Sequence, residues 1–319
     1  MIIRLVLAAA AMFAAIGAAA AQYPQKPVKI VVPYAAGGGT DVQARYMVAR
    51  LSERLGQQFV IENNGGAGGN IATVAVGKAE PDGYTLLFVA PAVAINVALY
   101  ARPGYDALGD FVPVAGWAQS PLLFIKNLSL PVDDLKGLAM YAKANPGKLA
   151  FGSGQGFINH LVMELYKIEA GADILFVPYR GQAPAMTDLI GGQIQLTVDS
   201  IASAGPFVEA GKVKAIATTS AERLPAFANV PTVAESGYPK LTGPTWYGVL
   251  APAKTPPDIV AKLAAEIAAI QRDPAAVKRI AEIGGEPFVQ GPTEFARFYR
   301  DEVAKWAGVI AQSGMKKVE

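Results

Sequence analysis

Apolar positions along this chain switch repeatedly between strand-like runs and helical stripes. Val28–Pro33 is β-branched and runs into a glycine cluster, as a strand entering a loop does. From Asp41 to Leu55, Ala44, Met47, Val48, Leu51 and Leu55 recur at helical spacing, with Arg45, Arg50, Glu53 and Arg54 on the other face. Thr40 or Asp41 is placed to cap the first turn. Phe59–Glu62 predicts a short strand, and Asn70 is expected to cap a small-residue helix reaching Ala79. Pro81-Asp82-Gly83 then turns the chain into Tyr84–Ala90, a continuous apolar strand of the kind buried on both faces. The order β-α-β-α-β predicts a parallel sheet.

A second series begins after Gly116. Strands are predicted at Leu122–Lys126, Leu149–Gly152, Ile174–Pro178, Ile194–Val198 and Val213–Ala217. Helices alternate with them: one capped by Asp133 and stopped at Asn145-Pro146-Gly147, then Asn159–Ala170, Pro184–Ile190 and Ala202–Ala210. Residues 221–245 hold several Pro and Gly without periodicity and predict a long crossing loop before a strand at Trp246–Leu250. Two C-terminal stripes follow, Ile259, Val260, Leu263, Ile267, Ile270 and Phe295, Phe298, Tyr299, Val303, Trp306, Ile310, both read as core faces. The fold class is therefore α/β, as two lobes with a cleft between them.

The N-terminus adds a location. Arg4, an apolar run from Leu5 to Ile16 and Ala19/Ala21 form a secretory signal peptide, residues 1–21, with an apolar core too short to span a bilayer. Cleavage leaves 298 of the 319 residues, enough for two domains. With no Cys, stability must come from burial rather than disulfides. A formal charge of +2 gives no footprint for nucleic acid. One His and no Cys argue against a zinc site, and no D-x-D-x-D-G calcium loop occurs. No cofactor or metal is required.

In open parallel sheets, ligands bind beyond the carboxyl ends of strands. The first such loop is Tyr34-Ala35-Ala36-Gly37-Gly38-Gly39-Thr40-Asp41, whose glycines expose N–H groups at a helix start suited to an anion. It lacks the Walker A lysine and G-x-G-x-x-G spacing, which argues against nucleotide binding. A bulky residue at Gly38 is expected to block backbone approach. The second lobe offers Gly152-Ser153-Gly154-Gln155-Gly156 before the helix with His160, the only histidine. Ala90, Tyr179-Arg180 and Asp199 end further strands; Arg180 suits a carboxylate, and Asp199 an ammonium or hydroxyl. A hydrolase reading makes Ser153 nucleophile, His160 base and Asp199 orienter, although Ser153 stands one position early for a G-x-S-x-G elbow.

The same residues carry a resemblance. Tyr23-Pro24-Gln25-Lys26-Pro27, the Gly37–Asp41 loop, Glu62-Asn63 with Gly65–Asn70, Pro81–Leu86, Asn145–Lys148, Val177–Gly181 and Leu189–Gly192 stand in order along essentially the whole mature chain. Together they are similar to the Bug (TctC-like) family, extracytoplasmic solute receptors of tripartite tricarboxylate transporters. The resemblance implies a type II-like periplasmic-binding-protein fold closing on an organic acid, with 22–121 plus 247–319 as lobe 1 and 122–246 as lobe 2. It also implies that the first glycine loop holds a ligand carboxylate through backbone and bridging waters, with the Ser153 loop completing the grip. This chain departs from the family pattern at Ala36, where relatives often have Pro, and at Ile158-Asn159, where a Ser or Thr often precedes the histidine.

The expectation is a periplasmic, monomeric, non-enzymatic receptor. It would deliver a dicarboxylate, an amino acid or an aromatic acid to membrane subunits of such a transporter. The secreted hydrolase and a ligand sensor for a two-component system are the alternatives. Ligand-binding candidates are Tyr34, Gly37, Gly38, Gly39, Thr40, Asp41, Ala90, Ser153, Gly154, His160, Tyr179, Arg180 and Asp199.

Overall fold

The computed structural model describes residues 23–313 and 315–319; the expected signal peptide, residues 1–21, lies outside the described residues. Two sheets carry the architecture. The first contains β1 (Val28–Val32), β2 (Phe59–Asn63), β3 (Thr85–Val89), β4 (Phe111–Ser120), β10 (Thr245–Pro252) and β11 (Glu286–Pro287), in the order β11-β4-β10-β3-β1-β2. The second contains β5 (Leu122–Lys126), β6 (Ala150–Gly154), β7 (Leu175–Tyr179), β8 (Leu196–Ser200) and β9 (Lys214–Thr218), in the order β7-β6-β8-β5-β9.

The parallel sheets expected from the βα order are mixed, and the reason is topological. Strands β1 to β4 share one direction, and β10 runs against both β3 and β4. In the second sheet β6 to β9 share a direction, and β5 opposes β8 and β9. Both β10 and β5 are the first strand the chain forms after leaving the other sheet; the two-residue β11 also opposes β4 at the sheet edge. A crossing chain enters at the carboxyl-end edge and has only one way to run. Thr245 and Trp246 pair with Ser120 and Gln119, so the return crossing is complete by Pro244.

Ten helices cover these sheets among the described residues: α1 (Gly39–Leu55), α2 (Asn70–Gly77), α3 (Ala92–Leu99), α4 (Leu135–Ala144), α5 (Ile158–Ala170), α6 (Gln182–Ile190), α7 (Ile201–Glu209), α8 (Pro257–Arg272), α9 (Pro274–Glu282) and α10 (Pro292–Ser313). The spacing-based stripe of α1 is buried as expected at Ala44, Met47, Val48 and Leu51. Its end at Leu55 follows from Gly56, whose left-handed φ of 64° closes the last turn.

Three expected caps differ. The N-cap of α1 is Gly38, with neither Thr40 nor Asp41 bonding as a cap. Gly69 precedes α2 in a left-handed conformation, so Asn70 opens the helix rather than capping it. Asp134, one residue beyond the expected Asp133, accepts from Gly137 N–H at 2.6 Å.

Helix α10 docks by the expected stripe, with Phe295, Tyr299, Trp306 and Ile310 buried. Glu302 fastens it to the returning strand, accepting from the indoles of Trp246 at 2.8 Å and Trp306 at 3.0 Å. Trp246 also packs edge-on against Phe295, Phe298 and Tyr299. It is therefore part of the core.

Candidate functional site

The carboxyl ends of both sheets face each other, and a crevice lies between them. Its mouth and the adjoining solvent included, about 480 Å³ there is free of protein atoms. From the first sheet it is lined by Tyr34, Ala35, Gly38–Asp41, Ala90–Ala92, Thr245 and Tyr247; from the second by Leu122, Phe157–Asn159, Gln182, Asp199 and Ser200. The two sides touch closely. The rings of Tyr34 and Phe157 meet edge-on at 4.6 Å between centroids, and a methyl group on Gly39 would overlap Ser200 Oγ.

Five helices begin at this crevice: α1, α3, α5, α6 and α7. Their N-caps are Gly38, Pro91, Phe157, Gly181 and Ser200, and none makes a side-chain capping bond. Of the helices that start away from the crevice, α4 and α9 are capped by the carboxylates of Asp134 and Asp273, whereas α2 and α8 have no side-chain cap either; what sets the five apart is that they converge on one space. Uncapped first turns leave N–H donors and the positive dipole end available to an anion. No Lys, Arg or His lines the crevice. The attraction is built from backbone.

Side chains hold these helix starts in shape. Asp41 is buried and accepts from Gly37 N–H (2.9 Å), Arg45 Nε (2.8 Å) and Asn63 Nδ2 (2.9 Å). That network fixes the glycine loop against β2. Gln182 does the same in the other lobe. Its Oε1 accepts from Gly154 N–H at 3.3 Å, and its Nε2 donates to Val198 O at 2.6 Å. Asn159 Nδ2 donates to Val198 O at 2.7 Å. Asp199 is 2% exposed and accepts from Ser200 N–H and Ser203 Oγ. Burial pushes its carboxyl up to about 7, against the opposing pull of those two bonds. The phenols of Tyr34 and Tyr247 are raised, chiefly by burial.

Of the residues expected from sequence, Tyr34, Gly38, Gly39, Thr40, Asp41, Ala90 and Asp199 line the crevice. Gly37 sits just outside, holding the loop through Asp41. A Cβ on Gly38 would meet only ordinary protein contacts, 3.8 Å from Ala35 O and 4.0 Å from Gln182 Cβ, whereas one on Gly39 would overlap Ser200 Oγ. Ser153 and Gly154 are inside β6 and buried, Ser153 with its hydroxyl on Gly154 O at 3.4 Å. Tyr179 and Arg180 line a separate depression along the seam, with Gly66–Gly68 and Gln155. The Tyr179 hydroxyl donates to Asp188 at 2.6 Å.

His160 packs away from the crevice. Its ring stacks on Phe176 at 4.0 Å, Nδ1 accepts from Gly156 N–H at 3.3 Å, and Nε2 lies 3.9 Å from Glu164. Ser153, His160 and Asp199 thus bond to three different sets of partners and form no triad. Burial first, and Lys167 second, hold the imidazole down at about 4. The unfolded chain binds a proton near pH 6.5 that the folded chain refuses. The neutral ring's stability is complete above that pH and is lost as pH falls toward 4, by about 3 kcal/mol. His160→Phe keeps the stacking and should reduce the fall in melting temperature between neutral and acid pH in scanning calorimetry. An undiminished fall would locate acid sensitivity elsewhere.

Sequence reasoning missed Gln182, Ser200, Thr245, Tyr247 and the start of α3. Gln182 and Ser200 were within reach, since they stand two residues after Arg180 and one after Asp199, both already singled out at strand-to-helix turns. Thr245 and Tyr247 carry no local signal, because a strand brings them in from the return crossing.

Among the described residues no helix is long and apolar enough to cross a membrane, and no group of three His, Cys, Asp or Glu could hold a metal ion. Two sheets crossed twice by the chain, with a crevice at their facing carboxyl ends, define the two-lobed periplasmic-binding-protein fold. The family described as "Tripartite tricarboxylate transporter family receptor" matches residues 43–315, and the chain belongs to that family of solute-binding receptors, which are not enzymes. Protein BugT of Bordetella pertussis is 37% identical over 297 residues, covering 92% of this chain and 91% of its own. The solved periplasmic binding protein BugD superposes with a TM-score of 0.89 at 36% identity, over 93% of this chain and all of its own. An R. palustris protein solved with adipate gives 0.90 at 38%, over 93% and 100% of the two chains. MatC from Rhodopseudomonas palustris, solved with malate, gives 0.86 at 33%, over 90% and 100%.

Proposed function

We propose that this protein is exported, captures a small organic diacid in the crevice, and presents the closed form to membrane subunits of a tripartite tricarboxylate transporter. The observation that carries the reading is the set of five uncapped helix starts around a space without cationic side chains. Such a site favours carboxylates over cations and neutral solutes. The adipate and malate held by two structural relatives support a diacid. Residues 23–121 with 245–319 and residues 122–244 act as two bodies within one monomer, a boundary two residues earlier than expected because Thr245 and Trp246 already pair in the first sheet. They turn about Ser120–Leu122 and Thr242–Thr245, and only the closed state brings both sets of helix starts to the ligand.

A thermal-shift screen with adipate, malate, succinate, acidic amino acids and aromatic acids tests this. A saturating acid should raise the melting temperature, by an amount equivalent to about 2.7 kcal/mol at one hundred times Kd. Stabilisation by none of them, or chemical conversion of a bound acid, would overturn the proposal.

A further inference from the structure

The crevice contains one buried carboxyl that no cation approaches. Asp41, the other acid there, has Arg45 at 2.8 Å. Asp199 has only the Ser200 amide at 2.7 Å and the Ser203 hydroxyl at 2.6 Å. The elements around it bring no positive charge. Helix α1 presents Gly39 and the already engaged Asp41, β10 presents Tyr247, and the loop after β1 presents Tyr34. Helix α5 presents Asn159, while its His160, Glu164 and Lys167 associate with one another and with Phe176. Helix α6 presents Gln182, α7 presents Ser203, and β5 pairs Leu123 opposite Asp199.

A diacid seated at the five helix starts adds two negative charges to this small, desolvated space. Like charges brought together in low dielectric raise the pKa of one carboxyl until it takes a proton. Asp199 is the group closest to doing so: it is buried without a cationic partner, and burial outweighs its two hydrogen bonds to bring it up to about 7. Each of its oxygens accepts a single internal bond, so either has a lone pair for the proton.

Resting on the receptor reading above, we propose that Asp199 is protonated in the loaded, closed receptor and donates its O–H to a ligand carboxylate. Capture of a fully ionised diacid then takes up one proton from solvent, which returns to solvent when the lobes reopen. Asp199 becomes a specificity-determining residue: it admits a dianion only together with a donor. The other crevice groups do not titrate in its place, because burial holds Tyr34 and Tyr247 above the neutral range.

Adipate is the probe, with succinate as the shorter substitute, because neither has a hydroxyl or ammonium to offer Asp199. Titration calorimetry of the mature protein at mildly alkaline pH, in two buffers of different ionisation enthalpy, should show about one proton taken up per ligand. The Kd should weaken about tenfold per pH unit above roughly pH 7.5. Asp199→Asn keeps a donor in place and should bind with a flat Kd and no proton uptake. Wild-type binding without proton uptake would overturn the inference, as would an Asp199→Asn variant retaining the wild-type pH slope. If the variant does not fold, the wild-type proton count decides alone. If no acid stabilises the wild type, the receptor reading fails and this inference fails with it.

Discussion

Gly39→Val should weaken ligand binding by roughly 100-fold while leaving the ligand-free melting temperature nearly unchanged. A Cβ there overlaps Ser200 Oγ and comes within 3.2 Å of Ser200 Cβ and Tyr247 Oη, one contact from each side of the crevice. Alanine would let the Ser200 hydroxyl swing aside; the two methyl groups of valine leave it no free space. On opening, the Ser200 overlap is relieved and only the 3.2 Å approach to Tyr247 Oη, in the same lobe, remains, so the lobe itself should lose little. Gly38→Ala is the control, because its Cβ meets only ordinary van der Waals neighbours. Calorimetric titration with a bound acid, beside a melt of each free protein, separates closure from folding. Equal affinities for Gly39→Val and wild type would mean that the crevice does not close as described.

Asp41→Ala should cost about 1–2 kcal/mol of stability and also weaken binding. Removing this carboxylate takes the acceptor from the Gly37 N–H, on an exposed residue, and from one half-buried Asn63 amide N–H. Its pair with Arg45 contributes less, since that guanidinium is more than half exposed. The loop that presents the α1 helix start then loses the anchor holding it to β2, so both the denaturation midpoint and the affinity should fall. Lost affinity at full stability would make Asp41 a direct ligand contact instead of a positioning residue.

Much of this was legible in the residues themselves. Strand β1, the buried stripe of α1 and the glycine loop between them follow from β-branching, helical spacing and Gly37-Gly38-Gly39, and the structure has all three where expected. Two elements were hidden for physical reasons. Helix α3 (Ala92–Leu99) is apolar nearly all round, because it is buried at Ala92 to Asn96 and at Leu99. Without a polar face it has no helical period to read. Strand β4 spans Phe111–Ser120 but contains Pro113 and Gly116, both beside register shifts against β10. Those residues read as breakers when local sequence is all there is.

The site divides along the same line. Glycines and acids next to a strand end announce themselves, so the Gly37–Asp41 loop and Asp199 were found. Ser153 was picked for its hydroxyl, yet alternation along β6 turns it into the sheet. His160 was picked as the sole imidazole and stacks in an aromatic pocket. Chemical type alone did not decide which side chains would face the crevice; burial did.

The reliance on main-chain dipoles has a consequence for a carrier. A lysine or arginine clamp would bind its cargo by a full charge that must be pulled away again at every delivery. Partial charges spread over several peptide ends attract strongly only while all of them are gathered around the guest. On the proposed receptor reading, parting the two halves leaves each with too little field to hold an acid. Capture and unloading would then follow from the closing and opening of one arrangement.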